Sequence, residues 1–230
     1  YLGGNLSGDI SNSSFKFNFT GGNGGALYIG GAGATISNGT FTNNNAGGNG
    51  GAIYADSAAV ITLTATKGNS TSFTGNNHNS SGTSTLNSIY FNNGGGLNVS
   101  GAGDIWIYDP IFVGGGTSFS MQRNTSAGDG VLHWSGVNHI NSAMSNINFA
   151  SGQTQFQSDF SLVASSTMVV NLGGTLSVDM GDRLESTAMF KFDGGGNLTH
   201  SSGMVVGAPR SLLPHFGTYL VAAGMTPSDA

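Results

Sequence analysis

The chain repeats itself every 26 residues near its start, and this period limits its fold more than any other feature. Phe15-Lys16-Phe17-Asn18 and Phe41-Thr42-Asn43-Asn44 both fit F-x-x-N, with 41 minus 15 giving 26. Nine residues after each Phe comes G-G-A-[LI]-Y. It appears first as Gly24-Gly25-Ala26-Leu27-Tyr28 and again as Gly50-Gly51-Ala52-Ile53-Tyr54. Two motifs holding one register mark a structural repeat, not a local coincidence. A third, looser copy runs from Phe73-Thr74-Gly75-Asn76 to Asn87-Ser88-Ile89-Tyr90. Its wider spacing predicts an Asn- and Ser-rich insertion from His78 to Thr85 that bulges out as a loop.

Beyond Tyr108 the motif changes but periodicity survives. Gly173-Gly174-Thr175-Leu176 recurs as Gly195-Gly196-Asn197-Leu198, a shift of 22, and Gly95-Gly96-Leu97 resembles both. Residues 169–178 and 189–198 read as short strands broken by Gly turns. No stretch carries a helical apolar period, whereas Ile105-Trp106-Ile107-Tyr108 and Phe15-Lys16-Phe17-Asn18-Phe19 alternate as strands do. Short strands, Gly and Asn corners and a period in the twenties predict an all-β chain coiled as a right-handed parallel β-helix. It would have roughly ten rungs. One unit spans 1–230, regular over 1–115 and looser over 116–230.

Each repeated residue has a physical task in such a coil. Leu27, Ile53 and Ile89 point inward and stack along the axis, and Phe15, Phe41 and Phe73 form a second inward row. Asn18, Asn44 and Asn76 fall at corners, where Asn tolerates a left-handed backbone and can bond to its counterpart one rung away. The Gly24-Gly25 and Gly50-Gly51 pairs permit a sharp bend with close backbone approach, and Ala26 and Ala52 are small enough to follow it.

Composition supports an ordered, extracellular type of chain. Gly occurs 40 times and charged residues make up only 7%, yet hydrophobic residues reach 37% with 14 Phe, enough to fill a core. Net charge is -5 with 6 Lys plus Arg, which argues against phosphate-backbone binding. No apolar run reaches the ~18 residues needed to span a bilayer. There is no Cys, so disulfides and thiolate metal sites are excluded. The chain starts at Tyr1 with no charged-then-apolar leader, so it reads as an excised fragment with any signal peptide upstream.

With G-G-A-[LI] and F-x-x-N alternating in register, the chain resembles the passenger of polymorphic outer membrane protein-type autotransporters. Ile105-Trp106-Ile107-Tyr108-Asp109-Pro110-Ile111 resembles the [IF]-x-[FY]-Y-D-P-I signature that follows the repeats in that family. The resemblance covers about 15–115 well and 116–200 loosely. The insertion after Asn76 and the missing third G-G-A depart from the pattern. The resemblance implies export through a C-terminal outer-membrane barrel, absent here. It also implies residence at the bacterial surface, and action as an adhesin on a host glycan, a matrix or receptor protein, or another copy of the chain. The Pro209–Ala230 tail carries no barrel-strand pattern.

Parallel β-helices also house polysaccharide-cleaving enzymes, which need clustered acids. Here 11 Asp plus Glu are scattered, and the closest pairs, Asp179 with Asp182 and Asp104 with Asp109, read as turn residues. No G-x-S-x-G occurs, and His78, His133, His139, His200 and His215 lack partners at ligand or triad spacing. Gly21-Gly22-Asn23-Gly24-Gly25-Ala26 nearly fits a calcium nonapeptide, but Ala26 and Ala52 stand where the ligand Asp belongs. No cofactor, metal or catalytic group is therefore expected. Trp106 and Trp134 read as core or cap residues. The expected contact surface is the insertion with Asn77, His78 and Asn79, together with Asn43 and Asn45. The same positions serve equally as solvated corners. A structural spacer and a polysaccharide-acting enzyme are the alternatives to an adhesin.

Overall fold

The computed structural model describes residues 8–80, 82–114, 119–123 and 130–140, and the strand segments 145–149, 152–156, 161–164, 167–170, 174–178, 185–186, 189–192 and 197–200. These residues form strands and turns, with no helix among them. Asp179, Asp182, Gly173, Gly195, Gly196, His215 and the 209–230 tail lie outside the described residues.

The strands stack into parallel sheets. Sheet 1 has eight strands, the first four being Asp9–Ser11, Gly33–Ser37, Val60–Ala65 and Gly95–Gly101. Sheet 2 also has eight, opening with Ser14–Lys16, Thr40–Thr42, Ser70–Thr74 and Asp104–Ile107. Sheet 3 has seven, opening with Leu27–Ile29, Ile53–Ala55, Ile89–Phe91 and Ile111–Val113. Sheet 4 has four: Phe19–Thr20, Asn45–Ala46, Asn77–Ser80 and Thr83–Leu86. The chain visits the sheets in turn, and each strand but Thr83–Leu86 pairs in parallel with its counterpart from a neighbouring pass. The repeats observed in the sequence set the register directly: Leu27 pairs with Ile53, Phe15 with Phe41, and Leu176 with Leu198.

Alternation decides what is buried. In Leu27–Ile29 the outer two residues are buried and Tyr28 between them is half-exposed. Leu27, Ile53 and Ile89 are all 0% exposed and stack in one column. Phe15, Phe41 and Phe73 stack face to face at 4.8 and 4.7 Å, with Phe15 partly covered and the other two fully buried. Trp134 is wholly buried, as expected of a core residue.

The corners hold the second stabilising device, a ladder of side-chain amides. Asn18 Nδ2 donates to Asn44 Oδ1, Asn44 Nδ2 to Asn76 Oδ1, and Asn76 Nδ2 to Asp109 Oδ2, each at 2.8 Å. Asn44 and Asn76 also donate to the Phe15 and Phe41 carbonyls at 3.0 Å. Asn44, Asn76 and Asp109 are buried, so every one of these groups needs its partner. Asp109 is thus more than a turn residue: it closes the ladder, accepting also from the Gly75 and Asn76 backbone N–H groups at 2.8 Å. Burial pushes its carboxyl above the ordinary value, while the donors from Asn76 and Gly75 pull it back.

The glycine pair behaves as its sequence suggests. Gly24 and Gly50 have φ of 70° and 71°. A Cβ on Gly25 would lie 2.0 Å from the Gly51 carbonyl oxygen, and one on Gly51 would lie 2.4 Å from the Asn77 nitrogen. Where the third copy lacks this motif, Asn87 substitutes: its Oδ1 accepts from Gly50 N at 2.8 Å.

Two expectations need correction. The insertion is not an irregular loop: Asn77–Ser80 and Thr83–Leu86 form an antiparallel hairpin, pairing His78 with Thr85 and Asn79 with Ser84. Asn77 simultaneously continues the parallel ladder by pairing with Asn45, so the stacked sheet recruits its first half as a strand. Nor do Asn18, Asn44 and Asn76 take the left-handed conformation. That falls one residue earlier, at Phe17, Asn43 and Gly75, with φ of 55°, 53° and 70°. This bend turns the following Asn inward.

Candidate functional site

With the inward rows committed to the core, any contact surface must come from the outward ones. On sheet 3 the outward residues are aromatic. Tyr28 stacks on Tyr54 at 5.2 Å and Tyr54 on Tyr90 at 5.6 Å. Tyr90 pairs with Phe112, which stacks on His139 at 4.8 Å. The Tyr of G-G-A-[LI]-Y therefore builds an outward-pointing aromatic column in which neighbours cover the ring faces, leaving Tyr28 half-exposed and Tyr54 only 6% exposed. Beside it, Asp56 accepts from Tyr28 Oη at 2.6 Å and from Asn92 Nδ2 at 2.9 Å. Those bonds, Tyr28 first, hold its carboxyl below the ordinary aspartate range. Burial, then the Asp56 charge, pushes the Tyr54 phenol up.

The residues expected to make contact fall on or beside sheet 4. Asn45 and Asn77 pair across it, and Asn43 is exposed at its corner. Their amides are partly spent internally: Asn77 Nδ2 donates to Gly75 O at 2.9 Å and Asn79 Nδ2 to Asn45 Oδ1 at 3.4 Å. His78 is half-buried 6.2 Å from the Phe112 ring, and burial holds its pKa below the ordinary imidazole value. The outer strand Thr83–Leu86 is exposed along its length, with Leu86 44% exposed.

Sheet 2 carries a feature the residue-by-residue reading missed. Its exterior row passes from Ser14 to Thr40 to Ser72 and then to Trp106. Three small hydroxyl side chains precede one large ring, and an open groove of about 670 Å³ results, with Trp106 in its lining. Asn12, Asn38 and Asn69 line its other side, from the corners between sheets 1 and 2. Trp106 is half-buried and lies 3.4 Å from His133, ring on ring, so it is an outward residue and not a core or cap one. His133 and His139 sit on strands, each stacked on an aromatic neighbour, and not in loops. The signal for Trp106 was present, because Ile105 and Ile107 flank it and the strand period of two puts it outside.

Asp104 and Asp109 are not brought together as a catalytic pair. Asp104 lines the groove and takes the Val131 N–H at 2.8 Å, whereas Asp109 is buried in the ladder. Among the described residues, no three His, Asp or Glu side chains cluster as metal ligands would. No family model, curated protein or solved structure matches the chain.

Proposed function

We propose that the chain is a segment of a right-handed parallel β-helix displayed at a bacterial surface, where it acts as an adhesin through host attachment or self-association. On this reading it is the passenger of a polymorphic outer membrane protein-type autotransporter, and its outer-membrane barrel belongs to the same precursor. It binds and does no catalysis. The observation that carries the proposal is the outward-pointing aromatic column Tyr28–Tyr54–Tyr90–Phe112–His139, half-exposed at every member but the buried Tyr54, on an otherwise weakly charged surface. A rod serving only as a spacer needs no aromatic rings outside its core, since they add apolar area that a purely solvated face avoids. Tyr combines that area with a polar tip, which suits it to recognition.

The test is saturable binding of the purified chain, on beads and in solution, to epithelial cells, matrix proteins, a glycan panel and itself. Binding to one of these, weakened when the Thr83–Leu86 strand or Tyr90 is altered without loss of the β-type spectrum, supports the adhesin. A folded chain that binds none of them leaves the spacer. Release of reducing ends from a polysaccharide panel would favour the enzyme.

A further inference from the structure

The groove on sheet 2 has the composition of a sugar-binding surface, and we infer that it binds a short, uncharged oligosaccharide. The inference deepens the adhesin reading and rests on it. Its warrant is the combination of groups at one place. Asn12, Asn38 and Asn69 line it with side-chain amides, Asn69 Nδ2 donating to Thr66 Oγ1 at 2.9 Å; Ser14 and Thr40 bring hydroxyls, and Trp106, stacked on His133 at 3.4 Å and on Tyr108 at 5.5 Å, brings the rest of its indole. Adjacent hydroxyls on a pyranose bond well to amide and hydroxyl groups, and its C–H face packs on an indole ring. A peptide would instead need an unpaired strand edge or an apolar pocket; of the strands under the groove only Ser14–Lys16, at its end, has a free edge, while Thr40–Thr42, Ser70–Thr74 and Asp104–Ile107 are paired on both sides.

The free valences point the same way. Asn38 uses its amide internally, donating to Asn12 Oδ1 at 3.0 Å and accepting from Thr66 N at 2.9 Å. That fixes the pair as a wall and leaves Nδ2 of the exposed Asn12 as a donor. Asp104 spends Oδ1 on Val131 N–H at 2.8 Å, which orients the carboxylate and leaves Oδ2 as an acceptor.

Length and charge narrow the ligand. The lining comes from four successive strand levels, so the groove runs about 14 Å along the stacking direction, room for about three pyranose rings. Asp104 is the only ionisable residue in the lining, so an anionic sugar there would be set against a carboxylate, which disfavours sialylated or sulfated chains. The ligand class is therefore a neutral trisaccharide unit.

The experiment titrates the intact chain with chitotriose, cellotriose, maltotriose and lacto-N-triose. 3′-Sialyllactose and a heparin hexasaccharide serve as anionic comparisons. Intrinsic tryptophan fluorescence and calorimetry report binding. At least one neutral trisaccharide is expected to bind with a Kd of about 1 mM or tighter. Trp106→Ala should weaken it at least tenfold and Trp106→Phe less. Asp104→Asn keeps an acceptor for Val131 N–H, so the fold should persist while the preference against the anionic glycans falls at least threefold. Neutral binding that survives Trp106→Ala, or a preference for anionic glycans in the parent chain, overturns the inference. If no glycan binds while the chain still attaches to cells or to itself, the groove inference fails and the adhesin reading stands. If neither occurs, both fail.

Discussion

Replacing Asn76 by Ala should be among the most damaging single changes in this chain. The Asn76 side chain makes four hydrogen bonds. Its Oδ1 accepts from Asn44 N and Nδ2 at 3.2 and 2.8 Å, and its Nδ2 donates to Phe41 O and Asp109 Oδ2 at 3.0 and 2.8 Å. Asn76 is 0% exposed, and so is Asn44 below it. Truncation strands two buried donors and two acceptors, one of them a carboxylate oxygen. Taking about 1 kcal/mol for each lost bond, the expected cost is about 4 kcal/mol. Asn18, half-buried at the start of the ladder, gives up one side-chain bond and should cost about 1 kcal/mol. Asn76→Asp separates the electrostatic part. It sets a second carboxylate against Asp109 where an amide donor stood, so it should destabilise strongly at pH 7 and recover as the two begin to share a proton on acidification. Urea denaturation, followed by circular dichroism and by the fluorescence of buried Trp134, measures all three. Equal costs for Asn76→Ala and Asn18→Ala, or no acid recovery of Asn76→Asp, would refute the ladder as a main source of stability.

Three further outcomes are expected. Gly51→Ala, whose Cβ would fall 2.4 Å from Asn77 N, should lower the thermal midpoint by many degrees, whereas Gly21→Ala, with open space around it, should leave it unchanged. Scanning calorimetry of the two variants decides this. Tyr28→Phe should raise the Asp56 pKa, which carboxyl NMR titration measures. The native pKa is lowered, so the stabilisation from Asp56 is present above its unfolded value and lost as pH falls through the folded one; the variant should lose less stability across that acidic window. Replacing Thr83–Leu86 by a Gly-Ser segment of equal length should bare the edge of Asn77–Ser80 and produce concentration-dependent association in sedimentation velocity, while an unchanged monomer would contradict it.

Periodic residues were the legible part of this fold. Leu27, Ile53 and Ile89 recur beside fixed Gly-Gly pairs, so the sequence spacing is itself the pairing register. Asn44 was placed correctly at a corner but with the wrong backbone, because the left-handed bend and the inward amide belong to adjacent residues of an Asn-Asn pair. The hairpin escaped notice because Asn77–Ser80 and Thr83–Leu86 have loop composition; the paired edge of Asn45–Ala46 overrides that weak propensity. The groove was illegible for a different reason. Asn12, Asn38, Asn69 and Trp106 are ordinary one by one; Asn12 and Asn38 hold the 26-residue spacing, but Asn69 and Trp106 reach the same corner only through passes of other lengths.

The ladder also has a direction. From Asn18 to Asn76 every amide points its N–H end toward the next level, so the side-chain dipoles add head to tail, as peptide dipoles do in a helix. The positive end of this column meets the Asp109 carboxylate. The carboxylate form of this buried residue is thus met by aligned dipoles and by the Gly75 and Asn76 N–H groups. Further F-x-x-N levels can be added beneath Asn18 without disturbing this arrangement. Above Asp109 they cannot, because a carboxylate has no N–H to pass on. The column is an array that can lengthen from one end only, and Asp109 is its stop.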